Sequence, residues 1–394
     1  MRRTIFEPEH ESYREVVREF VNRHLAPEMD RHRQEHSIDR QTWRRAGEFG
    51  LLGFFVPEEY GGGGAADFRF NAVQGEELSR LSYGYASAFG INTDIVAPYL
   101  LELTTDEQKQ RWLPSFASGE TIASIAITEP GAGSDVLGIR TTAIRDGSGW
   151  VLNGAKTFIT NGSSADLIIV AAKSEKAKPS RSISLFVVEP EVSPIGRGTS
   201  LEKVGQTEVE TSELFFDNVY VPEANLLGEP GAGFGYLVQR LAQERLSCAV
   251  ASLGHARAAL DETIEYVRQR TVFGQSIGDF QATRFCLADC RTMLDVTAAW
   301  VDRCIEAHVA AELTPVDAAK AKLAATEVQN KVIDHCLQLH GGYGYMHEYR
   351  IAQAWQDARV TRIFGGTSEV MREIIGRSLS LSAQPSQKGV RDAS

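Results

Sequence analysis

Cysteine is scarce in this chain and poorly spaced: Cys248, Cys286, Cys290, Cys304 and Cys336 are an odd five with no C-x-x-C pair. That argues against a disulfide framework. The four-residue step from Cys286 to Cys290 offers two thiolates where a zinc site needs more ligands, so no metal is expected. Buried, reduced thiols in a reducing compartment are the simpler reading. Positive charge is also short. Lys and Arg number 41 against 52 Asp and Glu, a formal charge of -11, which argues against the broad basic face that nucleic acid requires. No apolar run approaches the roughly 20 residues of a membrane span. The start, "MRRTIFEPEHESYREVV", lacks a signal-peptide apolar core, and its early acids do not suit a transit peptide. A cytoplasmic location is expected.

What is present is ordinary for a globular chain: 394 residues, 43% hydrophobic and 24% charged, enough for two or three domains. Tyr13, Val16, Val17, Phe20, Val21 and His24 recur at helical spacing. "LTTDEQKQRWL" offers Thr104 and Glu107 as a capping box, and "EEYGGGGAAD" reads as a flexible loop. Near Thr121 short apolar or alternating runs take over ("TIASIAI", "WVLNG", "DLIIVAAK", "SISLFVVE", "ELFFDNVYV"), with an Asp146-Gly147 turn signal. Without alternating helices they suggest a small antiparallel domain. Beyond "EPGAGFG" helices return. Leu287, Cys290, Leu294, Thr297, Val301, Cys304 and His308 form the seam of a bundle helix, widened by Met293 and Trp300. The expected fold is α+β: a helical domain over 1–121, a β domain over 122–231, a four-helix-bundle domain over 232–382 and a disordered tail over 383–394.

Several stretches carry chemistry. "IAITEPGAGSD" runs a strand into a Gly-rich turn whose N–H groups, with Thr128 and Ser134, suit a carbonyl or phosphate oxygen. It is neither a P-loop nor a G-x-G-x-x-G. "QLHGGYGYMHEY" ends a helix in glycines and tyrosines. In "IFGGTSEVMRE", Gly365 and Gly366 precede a helix that Thr367 or Ser368 can cap, a setting for an anion or a developing oxyanion. Taken alone, each also reads as a surface turn or a helix cap. In "LAQERLSCAV", Glu244 and Arg245 lie about 100° apart on a helix and are poor partners for each other.

Together, in the order helical, β, helical, these stretches resemble the acyl-CoA dehydrogenase family over roughly residues 6–379, with "KTFITNG" and "QRTVFGQSIGDFQ" as two further matches. The resemblance implies an FAD enzyme that removes two hydrogens from an acyl-CoA thioester, a carboxylate taking the alpha proton while the beta hydrogen leaves as hydride to the flavin. Many members place that base directly before the "G-T" of the last stretch, where this chain has Gly365. The long-chain and isovaleryl branches carry it in an "ER-L" motif, here Glu244, and the chain looks nearest the long-chain type. By the same resemblance Ile125, Ala126, Ile127, Thr128, Gly133, Ser134, Phe158, Ile159 and Thr160 wrap the flavin and ribityl chain, and Thr367, Ser368 and Glu369 touch FAD. Ser134, Ala242, Gln243, Arg245, Gly365 and Gly366 meet the acyl-CoA, Arg245 at its CoA portion. Arg270, Gln281, Gln338, Leu339, His340, Gly341 and Gly342 reach the FAD of a neighbouring subunit in a homotetramer, with Phe273 packing nearby as part of the cofactor site. The implied electron acceptor is an electron-transfer flavoprotein. Two departures stand out. Gln353 replaces a usual Lys or Arg, with Arg350 nearby as a candidate substitute, and Phe158 stands where several relatives have Trp. The alternatives are an acyl-CoA oxidase, a flavin monooxygenase of the same fold, a branched-chain acyl-CoA dehydrogenase, or a bundle that binds without catalysing.

Overall fold

The computed structural model describes residues 3–174 and 181–379; the tail expected to be disordered, 383–394, lies outside them. The chain opens with helices α1 (Pro8–Phe20), α2 (Met29–Glu35), α3 (Arg40–Glu48), α4 (Phe68–Leu81), α5 (Tyr83–Gly90), α6 (Ala97–Glu102) and α7 (Asp106–Ala117). The apolar stripe read along the first of them is buried at Val17, Phe20 and Val21, while Val16 edges into solvent. The cap of α7 lies one residue later than its sequence suggests. Thr105 Oγ1 accepts from Gln108 N at 3.3 Å and Gln108 Oε1 accepts from Thr105 N at 2.9 Å, because the Thr104 hydroxyl is already donated back to Leu100 O in the preceding helix. The four-glycine run is not a loose loop. Gly63 N donates to Gly53 O at 2.9 Å, and a Cβ on Gly62 would stand 2.1 Å from Val56 O, so the glycines permit close backbone packing.

Strands β1 (Ala123–Ala126), β2 (Thr142–Asp146), β3 (Gly149–Thr160), β4 (Leu167–Lys173), β5 (Ile183–Val188), β6 (Gly196–Arg197), β7 (Thr211–Pro222) and β8 (Leu226–Leu227) follow. Among the described residues they form one sheet in the order β6-β7-β3-β2-β4-β5-β8, with β1 beside β4. Most pairings are antiparallel, as expected, and the tight turn at Gly147 joins β2 to β3. The exceptions are β1 with β4 and the single β2–β4 pairing, both parallel. Successive β4 side chains serve two cores. Leu167, Ile169 and Ala171 pack with Val96, Tyr99, Leu100 and Phe116 of the helical region. Ile168, Val170 and Ala172 pack with Trp150, Leu152 and Leu214 within the sheet.

The chain returns to helix with α8 (Gly233–Gln269), a small hairpin of β9 (Thr271–Val272) and β10 (Gln275–Ser276), then α9 (Gln281–Val309), α10 (Pro315–His340), α11 (Arg350–Ala358) and α12 (Ser368–Ser378). At 37 residues, α8 is about 55 Å long. Its Leu246, Leu253 and Leu260 pack with Cys290, Leu294, Val301 and Cys304 of α9 and with Ala325, Val332 and Cys336 of α10. The predicted α9 seam is therefore the bundle core, although Trp300 stays part-exposed. All five cysteines are free thiols.

The three regions meet at a buried knot. Ser82 Oγ bonds Glu208 and lies 3.2 Å from Asp357 Oδ2, while Arg33 stands 3.7 Å from Glu208. Burial and the Glu208 charge push the Asp357 carboxyl up to about 7. Here the replacement at 353 finds its explanation. Arg33 Nη1 donates to the Gln353 amide oxygen, a role no Lys or Arg could fill. Arg350 does not substitute for it; it donates to the Arg80 and Leu81 carbonyls at 2.9 and 3.0 Å. Among the described residues no helix is long and apolar enough to cross a membrane, and no group of three His, Cys, Asp or Glu could hold a metal.

Candidate active site

Glu244 lies about three turns into α8 and makes no hydrogen bond or close ion pair with any described residue. Desolvation pushes its carboxyl up to about 7, against the partial relief of the Arg245 and Arg240 charges. Arg245 thus influences Glu244 through space although the two side chains diverge. Tyr99 lies close enough for the Glu244 charge, after burial, to raise its phenol. The Tyr99 hydroxyl and the Nε atoms of Arg240 and Arg245 are buried without a protein partner. A cluster of unsatisfied polar atoms around a high-pKa carboxyl is what a site waiting for a polar ligand presents. Ala242 and Gln243 are half-buried on the same turn. Both ends of the Gln243 amide are taken, by Asp94 O at 2.8 Å and His308 Nε2 at 3.2 Å.

Arg245 corrects the expectation attached to it. It is turned into the interior, 6% exposed, where its charge is felt by Lys322 of α10, so it is not placed to meet the polar tail of CoA. Lys322 was not anticipated from the sequence. Its ammonium donates to Thr361 O at 3.1 Å, Phe364 O at 2.7 Å and Gly366 O at 2.5 Å, tying down the loop that carries Gly365 and Gly366. Both glycines are left-handed, at φ 59° and 93°. Phe364 packs on Tyr83, ring centroids 6.1 Å apart, and Tyr83 Oη donates to Cys248 O one turn beyond Glu244. The loop and the carboxylate therefore share one neighbourhood. Thr367 caps α12 through Val370 N at 3.2 Å. The Ser368 hydroxyl is buried and given to Glu327 at 2.8 Å, so its side chain is not free for a cofactor; Glu369 is exposed.

The stretches expected to wrap a flavin are held together by a second buried lysine. Lys156 Nζ donates to Ile127 O at 3.0 Å and Glu129 Oε1 at 2.8 Å, and Thr157 N donates to Thr128 O at 3.0 Å. Glu129 also accepts from Arg140 N and Thr141 N. This locks the turn so that Gly133 and Ser134 lie exposed, with N–H groups that no described residue accepts. Ile125 and Ile127 pack in the same cluster as Tyr99. Phe158 is 67% exposed at φ 59°, a costly conformation for an aromatic residue, beside an irregularity in the β3–β7 register. Thr160 is half-buried. An exposed flat ring, free N–H groups and small residues fit a flavin with its ribityl chain. The side chains of Ala126, 0% exposed, and Ile159, nearly as buried, are turned away from it, because alternate positions of β1 and β3 face the core.

A second group of expected residues lies elsewhere. Arg270 follows the last turn of α8, roughly 39 Å along the helix from Glu244, with its guanidinium over Tyr343 at 5.3 Å. Phe273 is 97% exposed at φ 49°. Gln281, Gln338, Gly341 and Gly342 are exposed, and Leu339 is half-buried. His340 is the exception: its ring is buried, stacked on Tyr266 at 4.1 Å and bonded to Cys336 O, so its side chain is turned into the chain's own interior.

Models of the acyl-CoA dehydrogenase N-terminal, middle and C-terminal domains match residues 7–120, 124–219 and 231–380. The long-chain specific acyl-CoA dehydrogenase of Rattus norvegicus mitochondria is 43% identical over 96% of this chain and 88% of that protein. The isovaleryl-CoA dehydrogenase of Arabidopsis thaliana mitochondria is 35% identical over 95% and 92%. The crystal structure of an acyl-CoA dehydrogenase from Geobacillus kaustophilus superposes with TM-score 0.93 at 44% identity, covering 95% of this chain and 99% of that one. With this fold and this site, the chain belongs to the acyl-CoA dehydrogenase family and is an FAD-dependent oxidoreductase.

Proposed function

We propose that the chain converts a saturated acyl-CoA to its trans-2-enoyl-CoA with Glu244 as the base, prefers medium or long chains, and passes electrons to an electron-transfer flavoprotein. The observation that carries this is Glu244 itself: a carboxyl desolvated up to about 7, while the alternative position for the base is Gly365. A desolvated carboxylate is a better acceptor for the weakly acidic alpha proton, and a pKa near the working pH keeps much of it ionised. FAD, when bound, supplies the acceptor for the beta hydride. The Gly133–Ser134 turn, Phe158 and Thr160 would hold it. Gly365, with no side chain, leaves space for the thioester, and its N–H would meet the carbonyl oxygen as negative charge gathers there.

The higher identity to the long-chain relative than to the isovaleryl one supports a straight-chain substrate. Assembly as a homotetramer is supported by Phe273, since an aromatic ring held in strained backbone at a fully exposed hairpin tip suits a surface that becomes covered. The test is anaerobic: holoenzyme and Glu244→Gln are mixed with short, medium, long and branched acyl-CoAs while flavin absorbance is followed. Bleaching by medium or long chains in the wild type alone supports the reading. Bleaching by branched chains alone transfers it to the isovaleryl type. No bleaching by any thioester points to a monooxygenase-like reaction, and unchanged bleaching in Glu244→Gln removes Glu244 as the base.

A further inference from the structure

We propose that Lys322 is a positioning residue for the reaction: by gripping the carbonyl side of the Phe364–Gly365 peptide, it aims and polarises the Gly365 N–H that receives the thioester oxygen. The inference rests on reading Gly365 as the thioester-facing position.

Three observations carry it. Lys322 is only 1% exposed, yet among the described residues no carboxylate pairs with it; its partners are the carbonyls of Thr361, Phe364 and Gly366. A buried ammonium without a counter-ion is costly, and an apolar residue would pack among its neighbours Ala318, Ala321 and Ala325 with no such penalty. Next, the peptide after Phe364 is trans, like every other among the described residues. A trans peptide sets C=O and N–H antiparallel, so the bond from Lys322 to Phe364 O turns the Gly365 N–H to the opposite side. Finally, that N–H is free. No described residue accepts it, and Gly365 is exposed.

The physical consequence is twofold. Geometrically, the three bonds fix a loop whose two glycines, both left-handed, would otherwise be the softest part of the site. Electrostatically, a cation on the oxygen end of a peptide draws density toward that end and strengthens its N–H as a donor. Donors fixed before the reaction are worth most where charge develops in a dry site. Lys322 touches neither substrate nor cofactor and acts through the peptide alone.

The test compares wild type, Lys322→Met and Lys322→Gln as holoenzymes at equal flavin content. Each is loaded with trans-2-enoyl-CoA of 4, 8 or 12 carbons labelled with carbon-13 at the thioester carbonyl. The carbonyl stretch of the tightest binder is read by isotope-edited infrared difference spectroscopy, and kcat and KM are measured alongside. In the wild type the bound carbonyl is expected at lower frequency than in solution. Lys322→Met should lose at least half of that lowering, with kcat down about 100-fold and KM within about twofold. Lys322→Gln, which keeps two N–H donors without the charge, should fall between. A lowering equal in all three proteins overturns the role of Lys322, even if the variants are less stable. A wild-type carbonyl with no lowering at all, together with normal turnover, overturns the placement of the thioester at Gly365 instead.

Discussion

The two ends of α8 treat polar and apolar groups in opposite ways. Near its start, half-buried Glu244 is desolvated beside the Tyr99 hydroxyl and Arg240 Nε, both buried without a partner. Past its end, Phe273 and Tyr345 stand 97% and 84% exposed, apolar rings held in water. Neither state is comfortable for an isolated chain, and under the proposed function each would be relieved by a different companion: substrate and flavin at one end, a second copy of the chain at the other. On that proposal one helix joins a place for chemistry to a place for assembly.

The contrast breaks most decisively at Glu244. Glu244→Gln should lower the anaerobic flavin reduction rate about 10,000-fold while flavin content and oligomeric mass, measured by light scattering, stay unchanged. At the other end, Phe273→Asp or Arg270→Glu should lower flavin retention about tenfold and reduce the assembled mass. If flavin retention holds while the mass falls, the second end serves assembly alone. The pH dependence sharpens the first end. With the ionised Glu244 carboxyl as the proposed base, kcat/KM should climb about tenfold per pH unit below 7 and level off above it. Because the fold favours the protonated form, apo stability should fall as pH rises from about 4.5 through 7. Arg240→Met removes one of the two charges that favour ionisation, so the kinetic midpoint should move upward by a few tenths of a unit to about one. The smallest effect is expected from Tyr99→Phe. Deleting a buried hydroxyl with no partner should leave the apoprotein as stable or up to about 1 kcal/mol more so in urea titration.

Much of this was legible in the sequence because it is local. The α9 seam and the β2–β3 turn are periodicities and turn signals within a few residues, and the "ER-L" and Gly-rich stretches are contiguous. What escaped depends on distance along the chain. Ala123 pairs with Leu167 in parallel, and no hairpin signal reports such a partner. Thr104 and Thr105 are equally good caps by composition, and only the Leu100 carbonyl decides between them. Lys322 left a faint trace: it sits in register with Ala318 and Ala325, on the buried side of α10, where a lysine breaks the apolar pattern. Ala126, His340 and Ser368 lie in the right stretches but face inward, since a motif specifies a segment and the pleat or helix phase decides which side chains reach the surface.

The Arg33–Gln353 hydrogen bond closes 320 residues of chain. At synthesis rates of about 5–20 residues per second, Arg33 leaves the ribosome roughly 16 to 64 s before its partner exists. For that interval α2 lacks the contact that ties it to α11, and the buried knot at Ser82, Glu208 and Asp357 cannot close. The nascent N-terminal region therefore spends its early life with one face uncovered, and it is completed only by residues made 320 positions later.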